Sequence, residues 1–305
     1  MTKQSKTVVF FGSGPLAAKS LELLAGDFDI EAVITKSTPP GHKGQVPVAD
    51  LTEKLGIKTY GVDDKTQLDD LVKNVSFVSP IGILIDFGII VSQNVIDYFK
   101  KGIANSHFSI LPEWRGADPI TFSLLSGQKT TGVSLMLLVE AMDEGPLLGY
   151  SEISIGPNET NPSLSEKLIE VSHGLIKNIV PLYLNDTATA QPQSITGKNV
   201  SYSRKLTKSD GLINWTKPAE EIEREIRSFI NWPKSHAKVG SVEIIITSAS
   251  VSSNVSPKPG EFRVENNQLF IQCSDNSLSI DKLKLSGKPE MTIGAFLAGY
   301  KGRLT

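Results

Sequence analysis

Residues 7–11, TVVFF, form a short run of β-branched and aromatic side chains that stops at the turn GSGP. The segment that follows, PLAAKSLELLAG (15–26), carries apolar residues at helical spacing, with Pro15 in its first turn and Gly26 at its end. A strand apolar on both faces cannot be left against water on either side. It needs cover above and below, and strands alternating with helices supply that cover. The unit recurs: IEAVIT (30–35) precedes PVADLTEKLG (47–56), IKTY precedes QLDDLVK, and IGILIDF (81–87) precedes VSQNVIDYFKKG (91–102) and IANSH (103–107). The first half therefore predicts an α/β domain with a Rossmann-like, mostly parallel sheet.

The texture changes at Thr131. TGVSLMLLVE (131–140) and LLGYSEISI (147–155) read as strands around the turn-rich AMDEGP, and SLSEKLIEVSHGLIKNIVPLYLN (163–185) reads as a long helix. The small, polar TATAQPQSITGKN (187–199) has the composition of a linker. Beyond it, a helical EEIEREIRSFI (220–230) precedes the alternating runs VEIIITSASV, QLFIQC and SLSIDKLKL. Short strands at this spacing predict a smaller C-terminal β-barrel, OB-like, or a sandwich. The expected organisation is an α/β domain over 1–187, a linker over 188–205 and the C-terminal domain over 206–305.

Composition narrows the function classes. A chain of 305 residues with 39% hydrophobic and 21% charged residues is an ordinary two-domain globular protein. No stretch approaches the ~20 consecutive apolar residues of a membrane helix. The apolar VVFF turns at once into GSGP, so the N-terminus reads as a buried strand rather than a signal peptide. One cysteine, Cys273, excludes an intramolecular disulfide and fits a reducing, cytoplasmic setting; its context, LFIQCSD, predicts a buried small hydrophobe. Four histidines and one cysteine leave little material for a structural zinc site, and no metal is expected. A net charge of −2 excludes an overall electrostatic grip on nucleic acid, though not a local one. From Leu206 onward there are 13 basic against 11 acidic residues, an excess that a solvated surface explains by itself.

Two motifs could carry chemistry. GSGPLA, Gly12 to Ala17, has the G-x-G-x-x-G/A form between a strand and a helix and could cradle a pyrophosphate. A dinucleotide site also wants an acid at the end of the second strand, where this chain has Thr35 and Lys36, and Pro15 removes an N–H donor. A tight strand-to-helix turn is the simpler reading. In IANSHFSILPEWRGADP, Asn105 and His107 stand two apart at the end of a predicted strand and so share a face. Ligands of open parallel sheets bind beyond the carboxyl ends of the strands. Alone, the pair is equally a hydrogen-bonded strand end. Pro112, Gly116 and Pro119 constrain the chain after it, and AMDEGP presents Asp143 after another strand. An amide, an imidazole and a carboxylate make a workable acyl-transfer set, in which the amide donates to an oxyanion and the carboxylate orients the imidazole. Spacing does not show whether Asp143 reaches His107.

The run NSHFSILPEWRGADP resembles the Asn-x-His-x-S-L-L-P-x-(W/Y)-R-G signature of the folate-dependent formyltransferases, and TGVSL…MDEGP resembles that family's T-G-V-(T/S)…D-x-G segment. Further on, SYSRKLTKSDGLINW and IRSFINWP are similar to motifs of the branch that acts on methionyl-tRNA, so the likeness spans both domains. The resemblance implies transfer of a formyl group from 10-formyltetrahydrofolate, as co-substrate, to the amine of initiator methionyl-tRNA. It implies that Asn105 binds the formyl oxygen, that His107 stabilises the oxyanion or shuttles a proton, and that Asp143 supports His107. It also implies that Ser109, Ile110, Leu111 and Pro112 contact the folate, and that Phe87, Gly88 and Ile89 line its pterin pocket. Sugar-nucleotide formyltransferases share a similar second domain, so an amino-sugar nucleotide is the alternative acceptor. A monomer is expected.

The chain also departs from the pattern. The loop after the second strand, KSTPPGHKGQVP (36–47), is shorter than the family's basic loop and offers only Lys36, His42 and Lys43. Asp86 replaces a small residue, and Ser92 a proline. Phosphate neutralisation for a tRNA would fall to the second domain, from Arg204, Lys205, Lys208, Lys234, Lys238, Lys282, Lys284, Lys288, Lys301 and Arg303.

Overall fold

A computed structural model describes residues 6–39, 41, 44, 46–253, 256–300, 302 and 304; the basic candidates His42, Lys43, Lys301 and Arg303 lie outside these. The chain forms two compact units. The first comprises Met1–Pro119, Thr130–Ile153 and Ser165–Ser203, and the second Ile120–Lys129, Ser154–Leu164 and Arg204–Thr305.

In the first unit the strands are β1 (Thr7–Phe11), β2 (Asp29–Lys36), β3 (Thr59–Val62), β4 (Gly82–Leu84), β5 (Ile103–His107), β6 (Arg115–Gly116), β7 (Thr130–Leu137), β8 (Leu147–Ser154) and β9 (Tyr202–Ser203). Seven of them make one sheet in the order β3-β2-β1-β4-β5-β7-β8. Strands β1 to β5 pair in parallel, and β7 lies antiparallel to β5. The helices are α1 (Pro15–Leu24), α2 (Pro47–Leu55), α3 (Lys65–Asn74), α4 (Gln93–Tyr98), α5 (Pro119–Leu125), which falls almost wholly in the second unit, and α6 (Asn161–Leu184), whose first residues also do. This is the Rossmann-like architecture read from the alternation. Local chemistry sets the ends: prolines open α1 and α2, and the Asp64 side chain accepts the Gln67 N–H at 2.9 Å to cap α3. The central strands are buried along their whole length, as their composition requires. Phe11 meets Phe87 and Phe99 edge-on, at 5.6 and 5.9 Å between ring centres.

The expected strand over 81–87 is realised only at 82–84. The reason is Asp86, whose φ of 49° is left-handed and turns the chain out of the sheet.

The second unit is built on an antiparallel sheet curved as a half-barrel, with strands β10 (His236–Val239), β11 (Val242–Ser252), β12 (Phe262–Glu265), β13 (Gln268–Gln272), β14 (Ser277–Lys284) and β15 (Met291–Thr292), in the order β10-β11-β14-β13-β12 with β15 beside β14. Helices α7 (Ala219–Ser228) and α8 (Ile293–Tyr300) supply Ile222, Ile226 and Phe296 to a core shared with Ile244, Ile271 and Leu283. Cys273 belongs to this core at 1% exposure, and burial pushes its thiol up to about 12. The edge strand HAKV, the short FRVE and the terminal helix IGAFLAGY carried no signal distinct enough to be read from sequence.

Candidate active site

Strand β5 lies between β4 and β7, with Leu84 opposite Asn105 and Ser134 opposite His107. Asn105 is 8% exposed and His107 6% exposed. Two residues apart on one strand, their side chains share a face about 7 Å apart. Among the described residues no side-chain hydrogen bond engages the Asn105 amide. Its polar atoms keep contact with solvent, since among the described residues the sealed, unpartnered side-chain atoms are those of Ser20, Ser235 and Thr247, and the amide is therefore open to a ligand.

The imidazole of His107 is held on both sides. Its Nε2 lies 2.9 Å from the Trp114 carbonyl, and its Nδ1 lies 3.8 Å from Oδ2 of Asp143. Since a carbonyl only accepts, Nε2 carries the proton of that bond. The approach of Asp143 is not a product of strand order. Strand β7 runs antiparallel to β5, so Leu137 at its end faces Ala104, three residues or about 10 Å short of His107. The segment 138–146 folds back to bring the carboxylate over. Asp143 has a φ of 52°, and its Oδ2 accepts the Gly116 N–H at 2.7 Å.

The chain after β5 has a fixed shape. Ser134 Oγ donates to the Ser109 carbonyl at 2.8 Å and accepts the Leu111 N–H at 2.9 Å. Ser109 Oγ donates to the Glu113 carbonyl at 2.5 Å, and the Leu111–Pro112 peptide is cis. Trp114 is left-handed at φ 57°, and Gly116, at φ 107°, passes so near the Ser203 carbonyl that a Cβ would lie 2.5 Å from it. A second set of residues stitches this loop down from 191–203. Thr196 Oγ1 donates to the Leu111 carbonyl at 2.9 Å, Ser201 Oγ accepts the Trp114 N–H at 2.9 Å, and β9 pairs with β6. Gln193 joins Arg115 to the Asp143 turn. Ser201 and β9 stand at the head of the SYSRKL motif without any role read from it, and Gln193 and Thr196 were not picked out from sequence, because a polar, proline-containing stretch has the composition of a connector. The one available hint was its density of hydroxyl and amide side chains.

The residues that the resemblance assigns to the folate are placed as follows. Ser109, Ile110 and Leu111 are buried as whole residues, and the Ser109 carbonyl and both Leu111 backbone groups are already hydrogen-bonded within the protein, so these three residues shape the loop rather than present free groups at its surface. Phe87 packs in the core against Phe11, while Gly88, left-handed at φ 70°, is exposed beside it and Ile89 is half-buried.

The glycines of GSGPLA are explained by packing. A Cβ on Gly12 would lie 2.6 Å from that of Ala17, and one on Gly14 would lie 1.8 Å from Oδ2 of Asp86. Ser13 and Gly14 direct their N–H groups to the Asp86 carbonyl at 3.0 and 3.3 Å. The Asp86 carboxylate accepts from the Ala17 N–H at the start of α1, the position a bound phosphate would take. Although the residue is exposed as a whole, its carboxyl is crowded against Gly14. Desolvation, then the nearby Asp118 charge, raises it to about 6, against the lowering influence of the Ala17 N–H and Lys36. In the second unit, Arg204 pairs with Asp210 at 2.5 Å and Lys282 with Glu290 at 3.6 Å, so two of the basic candidates already have acidic partners. Among the described residues no group of three or more His, Cys, Asp or Glu could hold a metal, and no helix is long and apolar enough to cross a membrane.

The chain matches the formyl transferase family over residues 6–180 and the formyl transferase C-terminal domain over 205–301. Methionyl-tRNA formyltransferase of Dehalococcoides mccartyi is 31% identical over 301 residues, covering 96% of this chain and 95% of that one. Its counterpart from Magnetococcus marinus is 30% identical over 299 residues, with 96% and 95% covered. Among solved structures, an N-formyltransferase from Helicobacter canadensis, in complex with folinic acid and dTDP-3-aminofucose, superposes with a TM-score of 0.67 at 19% identity, covering 91% of this chain and 99% of that one. The chain belongs to the formyl transferase family, and carries both the N-terminal and the C-terminal domains of that family in order.

Proposed function

We propose that this protein transfers the formyl group of 10-formyltetrahydrofolate to the amino group of initiator methionyl-tRNA, in the cytoplasm. The observation that carries the reading is the solvent-reachable Asn105 amide, without a hydrogen-bond partner among the described residues, beside a His107 ring that faces Asp143. The acceptor amine attacks the formyl carbon; a carbon–nitrogen bond forms, and the bond to N10 of the folate breaks. In the tetrahedral intermediate the formyl oxygen carries negative charge, for which Asn105 supplies a preorganised amide donor. His107 supplies positive charge or relays a proton toward the leaving nitrogen, and Asp143 holds the ring for that task. The proton lost by the amine balances the one gained at N10, and no covalent enzyme intermediate is needed.

The acceptor assignment draws on the relatives at 30–31% identity across both domains. The alternative, an amino-sugar nucleotide, is favoured by one observation, the fold likeness to an enzyme solved with dTDP-3-aminofucose. Incubation of the purified protein with 10-formyltetrahydrofolate and either methionyl-tRNA or a dTDP-amino sugar separates them. Formyl-methionyl-tRNA should form, at a rate falling steeply between about 50 and 200 mM salt as phosphate contacts are screened. Product only from the sugar nucleotide overturns the acceptor; product from neither overturns the reaction.

A further inference from the structure

Gln193 is 7% exposed, and both ends of its side chain are used. Its Oε1 accepts from Arg115 Nη2 at 2.8 Å, and its Nε2 donates to the carbonyls of Asp143 at 2.8 Å and Gly145 at 2.9 Å. The two carbonyls belong to the turn that carries the Asp143 carboxylate, so one amide group grips that turn on either side of Glu144. Arg115, held by Gln193, reaches Glu144 itself at 3.0 Å. Its neighbour Gly116 gives its N–H to the carboxylate. Gln193 is anchored in turn, because Gln191 and Leu147 exchange backbone hydrogen bonds at 2.7 Å each.

Such a grip is needed. Asp143 adopts a left-handed φ of 52°, and its carboxylate reaches His107 only because the 138–146 segment is folded back. Neither feature is imposed by the sheet. A turn in a sparsely populated conformation persists where its surroundings over-determine it. We propose that Gln193 is a positioning residue for formyl transfer: its amide fixes the Asp143 turn and thereby keeps the carboxylate facing His107. The proposal rests on the reading that His107 and Asp143 do the chemistry.

Gln193→Glu is the discriminating variant. It keeps the shape and the acceptor for Arg115 but, when ionised, removes both donations to the turn. The charged groups around the introduced carboxyl are the Arg115 guanidinium and, through Arg115, Glu144, while Asp143 meets it with its backbone carbonyl. At neutral pH kcat should fall about tenfold to a hundredfold with KM for the folate changed by less than about twofold, the signature of a lost positioning interaction. Protonation of the introduced carboxyl restores one donor, so the deficit relative to wild type should shrink as pH falls toward about 5. A purely structural role gives lower thermal stability with no such pH-dependent recovery, and that result overturns the proposal, as does an unchanged kcat. Should Gln193→Glu fail to fold, Gln193→Met, which keeps the volume and removes every donor and acceptor, must show the same kcat loss at constant KM. Asp143→Asn run in parallel keeps the two claims apart. Full activity there sinks the site reading itself, whereas an inactive Asp143→Asn beside an unaffected Gln193→Glu sinks only the role of Gln193.

Discussion

Nδ1 of His107 stands 3.8 Å from Oδ2 of Asp143, while that same oxygen accepts the Gly116 N–H at 2.7 Å. The separation is too long for a hydrogen bond but well within the range of charge interaction. In the neutral ring, with its proton on Nε2 toward Trp114, Nδ1 presents a lone pair to a carboxylate; in the imidazolium it presents an N–H. Only the imidazolium offers positive charge to an oxyanion. His107→Gln keeps a donor for the Trp114 carbonyl and loses that charge. We expect kcat to fall about a hundredfold to ten-thousandfold with the fold intact, read by steady-state formylation and circular dichroism.

Asn105 is expected to act through a different term. Its amide has no side-chain partner in the described structure and lies on the same face of β5 as His107. Asn105→Ala should lower kcat by about a hundredfold to a thousandfold, as loss of one oxyanion donor does elsewhere, with little change in KM for the folate. Because no internal hydrogen bond is broken, the melting temperature should stay close to that of the wild type. A large loss of stability would show that the amide is structural.

Sequence reached the placement of two residues of the candidate site more securely than that of the others. Asn105 and His107 are fixed by strand periodicity, since two residues apart on a strand means one face, and a five-residue buried strand was plain in IANSH. Asp143 was nameable from its motif, but its meeting with His107 depends on a loop that reverses about 10 Å against an antiparallel strand. Gln193 and Thr196 were invisible, because a side chain that satisfies a distant backbone carbonyl leaves no period in sequence. The fold shows the same division. The α/β alternation carried the parallel sheet, whereas the end of β4 was misjudged because a left-handed Asp86 follows apolar residues that otherwise read as strand.

Gly145 tests how tightly the Asp143 turn is packed. A Cβ there would lie 1.7 Å from the Leu137 carbonyl, a backbone atom that cannot swing aside. Gly145→Ala must therefore displace the turn, at a cost of about 1–3 kcal/mol typical of overpacked sites. Activity should fall further than stability, because the displaced segment carries Asp143. Denaturant midpoints and kcat measured together check this: equal activity at reduced stability would mean that the turn accommodates the methyl group without moving the carboxylate.

Asp86 gives the clearest pH dependence. Its carboxyl is raised from 3.8 to about 6, chiefly by burial and then by Asp118. The folded protein therefore binds this proton more tightly than the unfolded chain does. Stability from this group is fully present below about pH 4 and is lost as pH rises through about 6. Asp86→Asn keeps an acceptor for the Ala17 N–H without the charge. It should stabilise the protein at about pH 7.5 by about 1 kcal/mol, a modest figure because solvent screens a residue this exposed, and it should do nothing at about pH 4. Asp118→Asn removes the second cause and should move the acid-side inflection of wild-type stability toward lower pH. Melting curves of the three proteins between about pH 4 and 8 decide the matter. A stabilisation by Asp86→Asn that is the same at every pH would mean that the charge is not its source.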